Sequence, residues 1–189
     1  MPKLYMIRHG EAAAGWDADT DPGLSAKGRA QSEAVAREIE ARVGRKLPLI
    51  SSPLRRCRET GDPLAASWGT TARIDPRVGE IPSPIEDLKA RGEWLRVFMS
   101  GTWTDGIKTQ GHLDLTAWRD GVAAALIELT EDTVIFSHFV AINAATSAAT
   151  NDDRVLSFRP DNCSVTVFET DGKALTLVER GREAETKVN

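Results

Sequence analysis

No stretch of this chain is apolar over the roughly 18 residues that a membrane-crossing helix requires, so no membrane partner is expected. Met1-Pro2-Lys3 runs directly into Leu4-Tyr5-Met6-Ile7, which leaves no room for a signal peptide. Positive charge is also in deficit: 24 Lys and Arg stand against 28 Asp and Glu, a net charge of -4. General nucleic-acid binders carry a basic footprint, and that class is set aside. The two cysteines, Cys57 and Cys163, lie far apart and form no Cys-x-x-Cys pair. Reduced thiols and a cytoplasmic location are therefore the expectation. Only three histidines occur, at 9, 112 and 138, and none has metal-ligand spacing such as His-Glu-x-x-His. No metal and no other cofactor is expected, and no internal repeat or low-complexity tract interrupts the chain.

What is present is a series of short apolar runs with chemically loaded ends. Leu4-Tyr5-Met6-Ile7 leads into Arg8-His9-Gly10-Glu11, Leu47-Pro48-Leu49-Ile50 into Ser51-Ser52-Pro53-Leu54-Arg55-Arg56, and Thr133-Val134-Ile135-Phe136 into Ser137-His138. Bounded runs of this kind suit strands buried on both faces. Helical patterns separate them. Ser25 can cap a helix to about Arg42 that turns Gly28, Val35, Ile39 and Val43 to one side. Ser52 and Pro53 look like the cap and first turn of a second helix, which Pro63 should kink or end early. A helix could occupy 85–99, a cleaner one carries Leu115, Trp118, Val122, Leu126 and Leu129, and an Ala-rich one follows His138 to Ala149. Two closing strands, about 163–169 and 174–179, meet at Asp171-Gly172, a hairpin-turn dipeptide. The pattern predicts an α/β fold, a three-layer α/β/α sandwich on a mostly parallel mixed sheet. One domain is expected over 1–180, with a variable, Gly- and Pro-broken segment at 82–111 and a polar, frayed tail at 181–189.

In open α/β sheets ligands bind beyond the carboxyl ends of the strands. If these three strands are parallel neighbours, two imidazoles and at least two guanidiniums converge there, as a phosphate site would require. A neutral imidazole is also a covalent nucleophile, and a neighbouring Arg8 disfavours the imidazolium. Spacing alone does not choose between Arg55 and Arg56, both in the first turn of the second helix, where free N–H groups and the dipole favour an anion.

Together, Arg8-His9-Gly10-Glu11, the run from Ser51 through Arg56 to Thr60, and Ser137-His138 resemble the histidine phosphatase superfamily, the phosphoglycerate mutase-like fold with an Arg-His-Gly motif. Asp21-Pro22-Gly23-Leu24-Ser25-Ala26-Lys27-Gly28 and Asn162-Cys163-Ser164-Val165-Thr166-Val167 extend the likeness across nearly the whole chain, with 82–111 as the main gap. The resemblance implies that His9 is the nucleophile and becomes phosphohistidine. It further implies that Arg8, Arg56 and His138 hold the phosphoryl oxygens, leaving Arg55 as a surface residue. The proton donor then maps onto Glu80, with Glu86 and Asp87 as alternatives. A carboxyl beside a phosphate dianion has a raised pKa, which suits an acid.

Several positions depart from the family pattern. Ile81-Pro82-Ser83-Pro84 follows Glu80 where a Gly- and Trp-containing stretch is usual. Ala12 and about Gly15 stand where Thr and Asn are common, and Phe139 replaces a Gly after the second histidine. Cys57, beside Arg56, reads as buried packing. His112 reads as a surface or capping residue, and Trp16, Trp94 and Trp103 as loop packing. Lys89, Arg91, Arg96 and Lys108 read as a solvated face. The resemblance therefore implies a metal-independent phosphomonoester hydrolase acting on a small phosphorylated metabolite or a phosphoprotein. The alternatives are a phosphomutase of the same fold and a non-catalytic phospho-ligand-binding domain. Oligomeric state is not legible.

Overall fold

The computed structural model describes residues 1–15, 18–109 and 113–184; Trp16, His112, the side chain of Lys108 and the last five residues of the tail lie outside the described residues. Among the described residues, six strands form one sheet: β1 (Lys3–Arg8), β2 (Leu49–Ser51), β3 (Arg73–Ile74), β4 (Thr133–Ser137), β5 (Val165–Thr170) and β6 (Leu175–Glu179). The helices are α1 (Ala26–Val43), α2 (Arg55–Trp68), α3 (Leu88–Met99), α4 (Trp103–Thr109), α5 (Leu115–Ile127) and α6 (Phe139–Thr150).

Across the sheet the order is β3-β2-β4-β1-β5-β6. β4 pairs in parallel with both β1 and β2, β2 pairs in parallel with β3, and β5 runs antiparallel to β1 and to β6. The central strands show why their sequences are continuously apolar. Leu4 and Met6 enter one core with Ile50 and Ile135, beside residues of α3, α5 and α6. Tyr5 and Ile7 face the other way, into a second core with Leu49, Val134, Phe136, Val35, Ile39 and Leu64 from the α1 and α2 side. Alternate residues of each strand thus serve opposite layers, as the period of two requires. The result is a three-layer sandwich.

Helix ends follow local chemistry. Ser25 accepts the Gly28 N–H at the start of α1, and Gly44, at φ 64°, closes it in the left-handed region. Asp87 and Asp114 cap α3 and α5 by accepting from Ala90 and Ala117.

Four expectations need correction. α2 begins at Arg55, not Pro53, and its cap position, Leu54, supplies no side-chain hydrogen bond. Pro63 does not end α2, which runs on to Trp68. The 85–99 helix starts at Leu88, because Asp87 is its cap. Finally, residues 181–184 are not frayed. Asp161 N–H donates to the Arg182 carbonyl at 2.8 Å and Ala184 N–H to that of Arg159 at 2.9 Å, so polar side chains ride on a paired backbone.

Candidate active site

The carboxyl ends of β1, β2 and β4 lie side by side because Arg8 pairs with Ser137 and Ser51 with Phe136. Each strand therefore releases its next residue at the same rim. His9 follows β1, with its N–H bonded to the Ser137 carbonyl at 3.0 Å. His138 follows β4 as the cap of α6. Arg56 enters from the first turn of α2, whose Thr60 accepts the Gly10 N–H at 3.0 Å and donates to the Arg56 carbonyl at 2.7 Å. One threonine thus couples the β1 loop to α2.

His9 is 4% exposed. Its Nδ1 lies 2.8 Å from the Gly10 carbonyl, an acceptor only, so Nδ1 carries the proton. Nε2 is left with its lone pair and accepts from Arg56 Nε at 3.2 Å. Burial first, then the neighbouring His138 ring and the Arg56 and Arg8 guanidiniums, which disfavour a further positive charge, hold the His9 pKa well below its ordinary value. At neutral pH the ring is uncharged, with its lone pair on Nε2. Asn162 Nδ2 donates to the His9 carbonyl at 2.9 Å and fixes the backbone from the β5 side.

Arg56 is 2% exposed and forks between partners. Its Nη2 donates to Glu80 Oε2 at 3.0 Å and lies 3.3 Å from His138 Nδ1, while its buried Nη1 has no protein partner. Arg8 resembles it: Nη1 donates to the Pro160 carbonyl at 2.9 Å, and buried Nε has no protein partner. Burial pulls Arg8 down to about 10, against the opposing pull of Asp161 and Glu80, so it stays charged at neutral pH. Two guanidiniums with an unmatched donor each form a seat for an anion, since an unsatisfied buried N–H is costly until an acceptor arrives. Phe139, in place of the family's usual Gly, slides its ring under Arg8, with the guanidinium carbon 5.0 Å from the ring centroid.

Glu80 arrives from the loop after β3. Asp75 caps the 3-10 turn Pro76–Val78, and Ser137 Oγ donates to the Val78 carbonyl at 2.7 Å, tying that loop to β4. The Glu80 carboxylate pairs with Arg56 and lies 3.3 Å from His138 Nδ1. Burial opposes its ionisation, but a hydrogen bond from the His138 ring and the Arg56 charge favour the carboxylate and hold Glu80 below the usual range. This direction is set by the protein groups alone, whereas the raised value expected from the sequence is that of a carboxyl beside a bound phosphate dianion. Glu86 and Asp87 do not join the cluster: both are exposed, and Asp87 is occupied as the α3 cap.

Arg8, His9, Arg56, Glu80 and His138 thus meet in one buried cluster, and the His9 and His138 rings sit 5.3 Å apart, edge to face. Arg55 points elsewhere and pairs with Glu59. Cys57 is buried, its thiol donating to the Ser137 carbonyl at 3.3 Å, and burial raises its pKa. Trp103 is core, and Trp94 stacks on Phe98. Sequence reasoning did not find Ser52, Asn162 or the Pro160 carbonyl as neighbours of the cluster. Only long-range pairing reveals them. Among the described residues, no three His, Cys, Asp or Glu side chains converge as a metal-ligand set.

A sheet of this order with guanidiniums and imidazoles gathered at its carboxyl rim defines an α/β protein whose candidate site lies where ligands of open α/β sheets bind. The chain belongs to the histidine phosphatase superfamily (branch 1), whose family model matches residues 4–182. It is 30% identical over 186 aligned residues to the probable phosphoglycerate mutase GpmB of Escherichia fergusonii, covering 87% of this chain and 83% of that protein. Among solved structures it is similar to phosphoserine phosphatase from Entamoeba histolytica, solved with 3-phosphoglyceric acid: TM-score 0.76, 23% identity, 96% of this chain and 98% of that one. It is also similar to mycobacterial glucosyl-3-phosphoglycerate phosphatase, solved with VO3: TM-score 0.71, 22% identity, 97% and 100% covered. The fold is phosphoglycerate mutase-like, in a superfamily of phosphatases and mutases.

Proposed function

We propose that this protein is a metal-independent phosphomonoester hydrolase working through a phosphohistidine on His9 Nε2. The observation that carries the reading is the His9 tautomer. Its Nδ1 proton is committed to Gly10, and its Nε2 lone pair is turned to the Arg56 guanidinium, with the His138 ring 5.3 Å away. In the first step Nε2 attacks phosphorus in line, the P–N bond forms and the ester P–O bond breaks. Glu80 delivers the proton that the leaving alkoxide takes. In the second step water attacks phosphorus, Glu80 removes its proton, and the P–N bond breaks to release phosphate and neutral His9.

Arg8, Arg56 and His138 hold the phosphoryl oxygens through both steps, where charge stabilisation is the principal contribution. A phosphate dianion arriving at Arg56 competes with Glu80 for the same guanidinium. It also brings two negative charges against the carboxylate, which moves the Glu80 pKa upward and supports its protonation. Substrates are small phosphorylated metabolites, with phosphoproteins as the second class, in the cytoplasm.

Phosphate release from p-nitrophenyl phosphate with excess chelator tests the reading. Turnover should persist with EDTA, vanish in His9→Ala, and leave an acid-labile phosphoryl group on the wild-type chain after rapid quenching. Turnover by His9→Ala would overturn the nucleophile. The second reading, a phosphomutase, draws on the 30% identity to a probable phosphoglycerate mutase. Isomerised phosphosugar without free phosphate would favour it. Phospho-ligand binding with neither activity would mark a non-catalytic domain.

A further inference from the structure

Ser52 has the sequence position of a helix cap but does not act as one. α2 starts three residues later, and its cap position makes no side-chain hydrogen bond. The Ser52 hydroxyl is fully buried and lies 2.7 Å from His138 Nε2, the ring nitrogen turned away from the catalytic cluster. On the other side of that ring, Nδ1 faces Glu80 Oε2 at 3.3 Å. Serine, imidazole and carboxylate therefore form one chain of contacts through His138.

A neutral imidazole has a single N–H, and the partner of one nitrogen decides which carries it. Burial keeps His138 below its ordinary pKa, so the neutral ring is the form present at pH 7. Two groups face its Nδ1 at 3.3 Å: the Glu80 carboxylate, which only accepts, and Arg56 Nη2, which only donates and already gives a hydrogen to Glu80 at 3.0 Å, so the partner of Nε2 decides between the tautomers. The Ser52 hydroxyl already receives the Leu54 N–H at 3.3 Å, which leaves its own proton to give. The Cys57 thiol, 3.3 Å from Nε2, sends its hydrogen to the Ser137 carbonyl.

We propose that Ser52 is a positioning residue that donates to His138 Nε2 and so places the ring's only proton on Nδ1, facing the substrate phosphoryl group. This rests on the hydrolase reading above, since an N–H directed into the site matters only if an anionic oxygen must be held there. The opposite tautomer would present a lone pair to the phosphoryl oxygens and repel them. Ser52 touches neither substrate nor the reacting atoms; it acts through His138.

The test is Ser52→Ala, read by the 15N shifts of His138 at pH 8, by binding of inorganic phosphate, and by kcat/KM on p-nitrophenyl phosphate. Wild type should show the Nδ1–H tautomer. In the variant the Nε2–H form should appear, with phosphate affinity and kcat/KM lowered about tenfold to a hundredfold, the range for losing an orienting partner of a functional histidine. An unchanged tautomer in Ser52→Ala overturns the proposal, whatever the activity. So does an altered tautomer with unchanged phosphate affinity. Wild-type protein that binds no inorganic phosphate and releases none from the ester counts against the hydrolase reading instead, while the tautomer comparison still decides the role of Ser52.

Discussion

The Arg8 guanidinium carbon stands 5.0 Å above the ring centroid of Phe139, so the first residue of α6 forms the floor of an anion seat. Both residues are buried, and a desolvated cation–π contact contributes about 2 kcal/mol. Phe139→Leu keeps the bulk and removes the quadrupole. It should weaken inorganic phosphate binding by about tenfold while Phe139→Tyr stays near wild type, as measured by calorimetric titration.

Glu80 gives a leaving-group signature. A donor contributes about 10²–10⁴-fold where the departing oxygen needs a proton. Glu80→Gln should lose that factor on an alkyl phosphate but much less on p-nitrophenyl phosphate, whose phenolate leaves without help. Equal losses on both substrates would show that Glu80 is not the acid.

Gly28 packs against the loop that carries His9. A Cβ built there would lie 2.1 Å from the Glu11 carbonyl oxygen, and one on Gly10 would lie 2.7 Å from the Gly28 carbonyl oxygen. Both obstacles are backbone, so neither can rotate away. Gly28→Ala should destabilise by about 3 kcal/mol, a fall of roughly 6–12 °C in Tm by calorimetry. Activity on p-nitrophenyl phosphate should fall with it, because the displaced segment carries His9, the proposed nucleophile.

Acid should loosen the fold through the same groups that make the site. His9 and His138 both have folded pKa values below 6.5, first because of burial, so the unfolded chain binds more protons as pH falls. Stability is then complete above about 6.5 and declines below it. Glu80 adds a further loss below the ordinary carboxylate range, its folded value being depressed as well. Tm measured from pH 8 to pH 5 should drop less steeply in His9→Gln than in wild type.

Much of the sheet was legible because β1, β2 and β4 are short apolar runs bounded by polar chemistry, and burial on both faces leaves no other composition. β3 was not: it has two residues, Arg73 and Ile74, both exposed, and its pairing with β2 comes from tertiary contact alone. α4 was hidden by Gly101 and Gly106, which read as breakers, although a Cβ at Gly106 would lie 2.5 Å from the Phe98 ring. Of the site, Arg8, His9 and His138 stood out because strand ends converge by topology. Arg56 and Glu80 needed the family resemblance, since helix spacing treats Arg55 and Arg56 alike and a loop carboxylate looks like any other. Ser52 was misread for a physical reason: capping is a local rule, and a partner 86 residues away overrides it.

The strand bearing Arg8 and His9 occupies the middle of the sheet, yet Leu4 finds its neighbours only at Thr133 and Phe168. During synthesis that first segment must wait, unpaired and apolar, until most of the polypeptide has emerged. Such distant pairings make folding slow. A fragment that stops short of β4 and β5 lacks both sheet neighbours of this strand, so the rim that gathers Arg8, His9 and His138 can form only after those late strands have been made.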